Sequence, residues 1–349
     1  MVRFARHGTD RTMTLDKGES FYSRSMELPD QLLVGAIDSH VHAGPVLSSN
    51  PGHLDPIQVA TEARDAGMRA IVYYDVFGWA SGVAWIVNRH VPGIQAFGGY
   101  LMNSCHGGMN PRAVLTALHL EGGCRFISFG SHCTHFQASS EAAVVDGKLV
   151  PFKDLYPEFV DRELSVATRI PLEDPVPQPL AEILEMIAAK PEVYLNTGHV
   201  SGPEVMRILD LAERFGIGKV LIAHPARLQL SIDEQKEAAR RGAFLEACLV
   251  DWYYPDVPRT HYYVERKYMH QASELVNRKL TGPQWMKPIR EIGPQHFVLG
   301  TDYGIRAAPT PVQGMRTMIA SLLDYEFTMD EIRAMTAHNP ARLIGVDPF

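Results

Sequence analysis

The chain has 349 residues, 46% hydrophobic and 21% charged, with 28 glycines and 24 prolines. That composition supports a large buried core and excludes a disordered or fibrous chain. A formal net charge of -7 argues against a general nucleic-acid binder or a binder of anionic membranes.

Four scattered cysteines (Cys105, Cys124, Cys133, Cys248) form no CxxC pair. A disulfide framework, a zinc ribbon and a thioredoxin-type site are therefore out. The basic start, Met1–Arg11, is not followed by an apolar segment of signal-peptide length, and no run of about 18 apolar residues occurs. A cytoplasmic, reducing compartment is expected. The unusual count is histidine, at 15.

Short apolar runs alternate with amphipathic ones. Leu33–Asp38 reads as a first strand, and Asp55-Pro56 opens a helix to about Gly67, with Asp as N-cap. Ala70–Tyr74 is a second strand, followed by a helix near Ser81–Arg89. Gln95–Tyr100 is a third, followed by a helix from Asn110-Pro111 to Glu121, and Arg125–Phe129 is a fourth. Residues 131–178 then read as an irregular insertion serving as a lid. The helix Leu180–Lys190 and a fifth strand, Val193–Thr197, restore the order. Capping boxes at Ser201–Glu204 and Ser231–Glu234 open the helices on either side of a sixth strand, Val220–Ala223. Ala243–Ala247 is a seventh strand, Asp251–Met269 a second irregular stretch, and Phe297–Gly300 an eighth strand. Helices opened by Thr328–Glu331 and Asn339-Pro340 close the chain.

Eight strand–helix units in a row predict a (β/α)8 TIM barrel over residues 32–349, after an extension over 1–31. The competing doubly wound sheet normally has a Gly-rich first turn, and no GxGxxG follows the first strand here. In a barrel, chemistry gathers at the C-terminal ends of the strands. His40 and His42 end strand one, two residues apart, so both imidazoles point one way and can bind one ion. His199 ends strand five, His224 strand six and Asp302 strand eight. Four histidines and an aspartate at one end of four strands point to a metal site.

The segments Asp38-Ser39-His40-Val41-His42, Gly198-His199, Ala223-His224-Pro225, Gly300-Thr301-Asp302 and His338-Asn339-Pro340-Ala341-Arg342-Leu343 resemble the amidohydrolase superfamily. Phe97-Gly98-Gly99 through Gly107-Gly108-Met109-Asn110-Pro111 resembles a little-characterised branch of it. The resemblance spans about Leu33 to Val346. It implies a metal-dependent (β/α)8 hydrolase in which His40, His42, His199, His224 and Asp302 hold metal and move protons. Many binuclear members carry a bridging lysine at the end of strand four, and this strand has none. The site then holds one ion, or another group bridges two; the candidates are Cys133, Asp75 and Glu246.

Imidazoles and carboxylate suit zinc, with manganese or iron as seconds. Such an ion brings the pKa of a bound water to about 7. Asp302 is placed to take the water's proton and pass it to a leaving group, with His224 as a further catalytic group. The expected reaction is hydrolysis of a C–N or C–O acyl bond in a small molecule: an amide, cyclic amide, lactone or ester. Arg227 and Arg306 are candidates to clamp a substrate carboxylate. His132, His135, Tyr74 and Trp252 are candidates to line the substrate. Cys105 and His106 follow strand three, Trp79 follows strand two, and Tyr253 and Tyr254 follow Trp252; each could as well be lip or lid packing.

Two rivals stand: non-oxidative decarboxylation at a single zinc on the same fold, and a metal- or ligand-binding barrel without turnover. No GxSxG and no HExxH occur, which removes serine hydrolases and metalloproteases of that type. A homo-oligomer, dimer or tetramer, is expected from size alone.

Overall fold

Short β-branched and aromatic runs between capped helices give one eight-stranded parallel sheet. The computed structural model describes residues 21–45, 54–253, 259–260, 271–274, 280–304 and 308–347. The strands are β1 Ile37–Val41, β2 Ala70–Tyr73, β3 Gln95–Leu101, β4 Cys124–Ser128, β5 Tyr194–Asn196, β6 Val220–Ile222, β7 Phe244–Cys248 and β8 Phe297–Gly300. They pair in that order, each parallel to the next.

The seam between β8 and β1 closes the sheet on itself. Asp302 N donates to His40 O at 2.8 Å and His42 N to Tyr303 O at 2.7 Å. Buried Asp38 fastens the same seam: its carboxylate accepts from Thr301 N at 3.0 Å, from Thr301 Oγ1 at 2.6 Å and from His40 N at 3.1 Å. The fold is the expected (β/α)8 barrel.

Inside the barrel, Ile37, Val72, Phe126, Leu221, Phe244 and Val298 form one apolar cluster, joined by Ala341, Leu343 and Ile344 of the last helix, Asn339–Ile344. Ile37 and Phe244 begin their strands, so that helix plugs the N-terminal end and leaves the other end for polar groups. A larger core lies between the sheet and the surrounding helices. The predicted caps form: Asp55 accepts from Ile57 N and Gln58 N, and Ser201, Ser231 and Thr328 make capping boxes. No helix among the described residues is long and apolar enough to cross a membrane.

Two expectations are corrected. The first strand begins at Ile37 and not Leu33. Leu32 and Leu33 are buried as the end of the helix Phe21–Leu33, and Gly35, at φ 80°, turns the chain into the strand. That helix runs across the expected boundary at residue 31 and packs on the helix Pro311–Asp324, where Arg316 Nε meets Asp30 Oδ1 at 2.6 Å.

The insertion after β4 is also more regular than expected. A helix, His135–Ser140, leads into the hairpin Glu141–Val145 and Lys148–Pro151. Its two-residue turn is Asp146-Gly147, both at positive φ, the geometry that suits the twist of a hairpin. Residues 259–260, from the second irregular stretch, and 271–274, just beyond it, pair onto this hairpin to make a four-stranded sheet.

At one position the ring depends on a missing side chain. Gly198 has φ 62°, and a Cβ there would lie 2.1 Å from Gly130 O. The ends of β4 and β5 thus approach closely enough for His199 N to donate to Gly130 O at 3.0 Å. Gly198→Ala is expected to lose at least about 2 kcal/mol of unfolding free energy, read from urea midpoints. An unchanged midpoint would show that the two loops have room to part.

Candidate metal centre

β1 directs His40 and His42 to the open end of the barrel, and the turn after neighbouring β8 brings Asp302 beside them. His42 Nε2 lies 2.7 Å from Asp302 Oδ1, and His40 Nε2 lies 3.6 Å from the same oxygen. β6 brings in His224, whose Nε2 is 3.8 Å from Asp302 Oδ2. β5 brings in His199, its ring 5.1 Å from that of His224 and nearly perpendicular. His224 and Asp302 both hold left-handed backbone, φ 45° and 55°. Non-glycine residues reach that region rarely and at a cost, and such strain is commonest at functional sites.

Hydrogen bonding fixes where the imidazole protons sit. His224 Nδ1 is 3.0 Å from Asp251 Oδ2, and a carboxylate only accepts. Nδ1 therefore carries a hydrogen, and Nε2 faces Asp302 and, at 3.9 Å, Glu246 Oε2. His224 Nε2, Glu246 Oε2 and His199 Nδ1 are buried and have no hydrogen-bond partner. Buried polar atoms thus converge without hydrogen-bond partners, which is unfavourable unless a proton or a cation lies between them. Ligand atoms of one tetrahedral zinc ion sit about 3.3 Å apart, close to the spacings here. Among the described residues, two donor groups are compact enough to hold an ion: His40, His42 and Asp302, and His40, His224, Glu246 and Cys248. The donor set fits a divalent metal.

The electrostatics agree. Burial raises the Asp302 carboxyl, but His40, His42 and His224 outweigh it and hold the group ionised, well below the usual carboxylate range. Burial, with Arg227 and His224 nearby, keeps His199 neutral. Burial also disfavours charge on His40, yet Glu246 and Asp302 prevail and raise it to about 9. Without an ion, a proton on His40 offsets the surrounding negative charge.

The other sequence candidates fall in several places. Tyr74 stacks on His40 at 3.9 Å, and its hydroxyl meets Tyr194 Oη at 2.8 Å and Asn196 Nδ2 at 3.1 Å. His132 stands 5.6 Å from the His199 ring, its Nδ1 2.6 Å from buried Glu141 Oε1. Arg227 is buried against Asp251 at 3.3 Å, forming an ion pair beneath His224. Trp252 stacks on Trp285, as packing. His135 contacts Ser139 in its own helix. Cys133 binds Asn103 Oδ1 and Ser104 N, and Asp75 accepts from Phe77 N; neither is in a donor group, whereas Glu246 is. Arg306 and Tyr254 lie outside the described residues.

Cys248, Asp251 and Glu141 were not singled out from sequence. Cys248 follows Glu246 by two on a strand, the same spacing as His40 and His42, so a signal existed. Asp251 and Glu141 lie in apolar or irregular surroundings that carry none.

A family model described as "Family of unknown function (DUF6282)" matches residues 35–246, and the chain belongs to that family. No curated protein matches it. Among solved structures it is similar to amidohydrolase 2 from Bifidobacterium longum subsp. infantis, at 13% identity and a TM-score of 0.50, covering 90% of this chain and 100% of that one. It is also similar to the dipeptidase AC, a metallopeptidase of family M19, at 11% identity and a TM-score of 0.50, covering 89% and 98%. An amidohydrolase from Burkholderia multivorans with bound zinc gives 13% identity and a TM-score of 0.49, covering 89% and 99%. The fold is that of the amidohydrolases.

Asp251→Ala removes the acceptor that fixes the His224 tautomer. Zinc affinity should fall about 10- to 100-fold in a competition titration; an unchanged value would separate Asp251 from ion binding. His40 gives a pH test. Its ordinary value is 6.5 and its folded value is about 9. The stabilising effect of its proton is full below 6.5 and is lost as pH rises through 9. Ion-free chain should therefore lose urea resistance over that range, and zinc-loaded chain should lose less. Parallel curves would contradict this.

Proposed function

We propose that this member of the family is a metal-dependent hydrolase that cleaves a C–N or C–O acyl bond of a small molecule. The observation that carries the reading is the convergence of His40 and His42 from β1, His224 from β6 and Asp302 after β8 at the open end of an amidohydrolase-type barrel. His40, His42 and Asp302 would hold the ion, with His199 and His224 beside them. A bound divalent ion supplies a Lewis acid and an acidified water.

The chain's own groups do the rest. Asp302, kept ionised by its histidine neighbours, accepts the proton of the attacking water and returns it to the leaving nitrogen or oxygen. His224, its ring fixed by Asp251 and backed by Arg227, turns Nε2 toward Asp302 and flanks the proton that carboxylate carries. Neutral His199 sits beside it. His132, held by Glu141 and partly exposed, is placed to hydrogen-bond the substrate from the lip. Tyr74 is a wall beneath His40: its stacking fixes the imidazole plane, and its hydroxyl is already engaged with Tyr194 and Asn196. Arg227 supports His224 through Asp251. Zinc is the favoured ion on donor chemistry, with manganese or iron as seconds.

The test is a screen of lactones, hydantoin-like rings and N-acyl amino acids with zinc-loaded protein in ¹⁸O-water. One label oxygen should enter the acyl product. Asp302→Asn should keep the fold while losing turnover by about 10³-fold or more. Carbon dioxide release without label in the product would favour decarboxylation. Undiminished turnover in Asp302→Asn would remove Asp302 from proton transfer.

A further inference from the structure

The donor groups described above overlap without coinciding. His42 and Asp302 keep 16% and 15% of their side-chain surface exposed, whereas His224 and Glu246 keep none. The second group therefore lies deeper, on the β7 side of the barrel. We propose that β7 carries a second cation site, formed by Glu246 Oε2, Cys248 Sγ and His224 Nε2, beneath the His40–His42–Asp302 site. This rests on the reading of that outer site as a metal centre.

The sequence supplies the geometry. Glu246 and Cys248 are two apart on β7 and share its inner face, as His40 and His42 share one direction from β1. Their ligand atoms and those of His224 and His40 all lie within 4.8 Å of one another. Glu246 divides its two oxygens. Oε1 meets His40 Nδ1 at 2.9 Å and so turns His40 Nε2 toward the outer site. Oε2 is buried without a hydrogen-bond partner, 3.9 Å from the equally unpartnered Nε2 of His224. The carboxylate can thus orient a ligand of one ion while binding another.

Room for the carboxylate comes from β8. A Cβ on Gly300 would lie 2.7 Å from His40 Cβ and 3.0 Å from Glu246 Oε1, so any side chain there would press on the pair. The thiol of Cys248 is a soft donor that binds metal as the thiolate. A thiolate, imidazole and carboxylate set selects zinc or cobalt over magnesium or calcium.

The experiment uses full-length protein, stripped with chelator, dialysed and titrated with Co²⁺. Wild type should take up two equivalents and develop a thiolate-to-cobalt charge-transfer band in the near ultraviolet. Cys248→Ala should lose the band and one equivalent, and Glu246→Gln should lose one equivalent, with far-ultraviolet circular dichroism unchanged. His42→Ala should keep the band, because its ion is the other one. Should Cys248→Ala not fold, Cys248→Ser, which keeps the volume, replaces it with the same expected loss of the band. A single equivalent without the band, lost in His42→Ala, would overturn the second site and leave the outer one standing. Two equivalents insensitive to both β7 variants would also overturn it. No bound cobalt in wild type would sink both sites together.

Discussion

The structure turns on an electrostatic conflict inside the barrel mouth. His224 commits its Nδ1 hydrogen to Asp251 and turns Nε2 toward the buried carboxylates of Asp302 and Glu246. In water such a conflict is relieved by solvent. Here the groups are buried, and relief has to come from a proton or a cation. The high affinity of His40 for its proton is the same conflict seen in the ion-free chain.

What keeps these groups from drifting apart is the closure of the sheet. β1 and β8 are the first and last strands of the barrel along the chain, more than 250 residues apart. Yet Asp38 binds Thr301 through both backbone and side chain, and Ser39 Oγ donates to Leu299 O at 2.8 Å. Asp38 and Ser39 directly precede His40 along β1, so fastening the barrel and placing the imidazoles are one act. Left-handed backbone at His224 and Asp302 costs free energy that this closure and the surrounding packing offset. Pairing carboxylates with ring nitrogens at His40, His224 and His132 sets each ring's tautomer and angle.

Much of this was readable in the chain. Strand and helix order followed from apolar runs and caps, and Asp55, Ser201, Ser231 and Thr328 each cap the helix expected of them. The strand-end register of His40, His42, His199, His224 and Asp302 was readable because loops begin where apolar runs end. Three things were not. Leu32 and Leu33 belong to a helix although they adjoin a strand, since periodicity cannot divide one apolar run between two elements. The Asp146-Gly147 hairpin was hidden because Glu141-Ala-Ala-Val-Val145 does not alternate cleanly, even though its turn signal is strong. Asp251, Glu141 and the ion pair of Arg227 depend on contacts between loops distant in sequence, which no local pattern encodes.

Anomalous diffraction at the zinc edge, from crystals of the full chain grown with zinc, addresses the cation directly. The expected result is a peak about 2.0–2.2 Å from His40 Nε2, His42 Nε2 and an Asp302 oxygen. Density showing these three side chains bonded only to one another and to water, with no anomalous peak between them at saturating zinc, would contradict a metal centre at this end of the barrel.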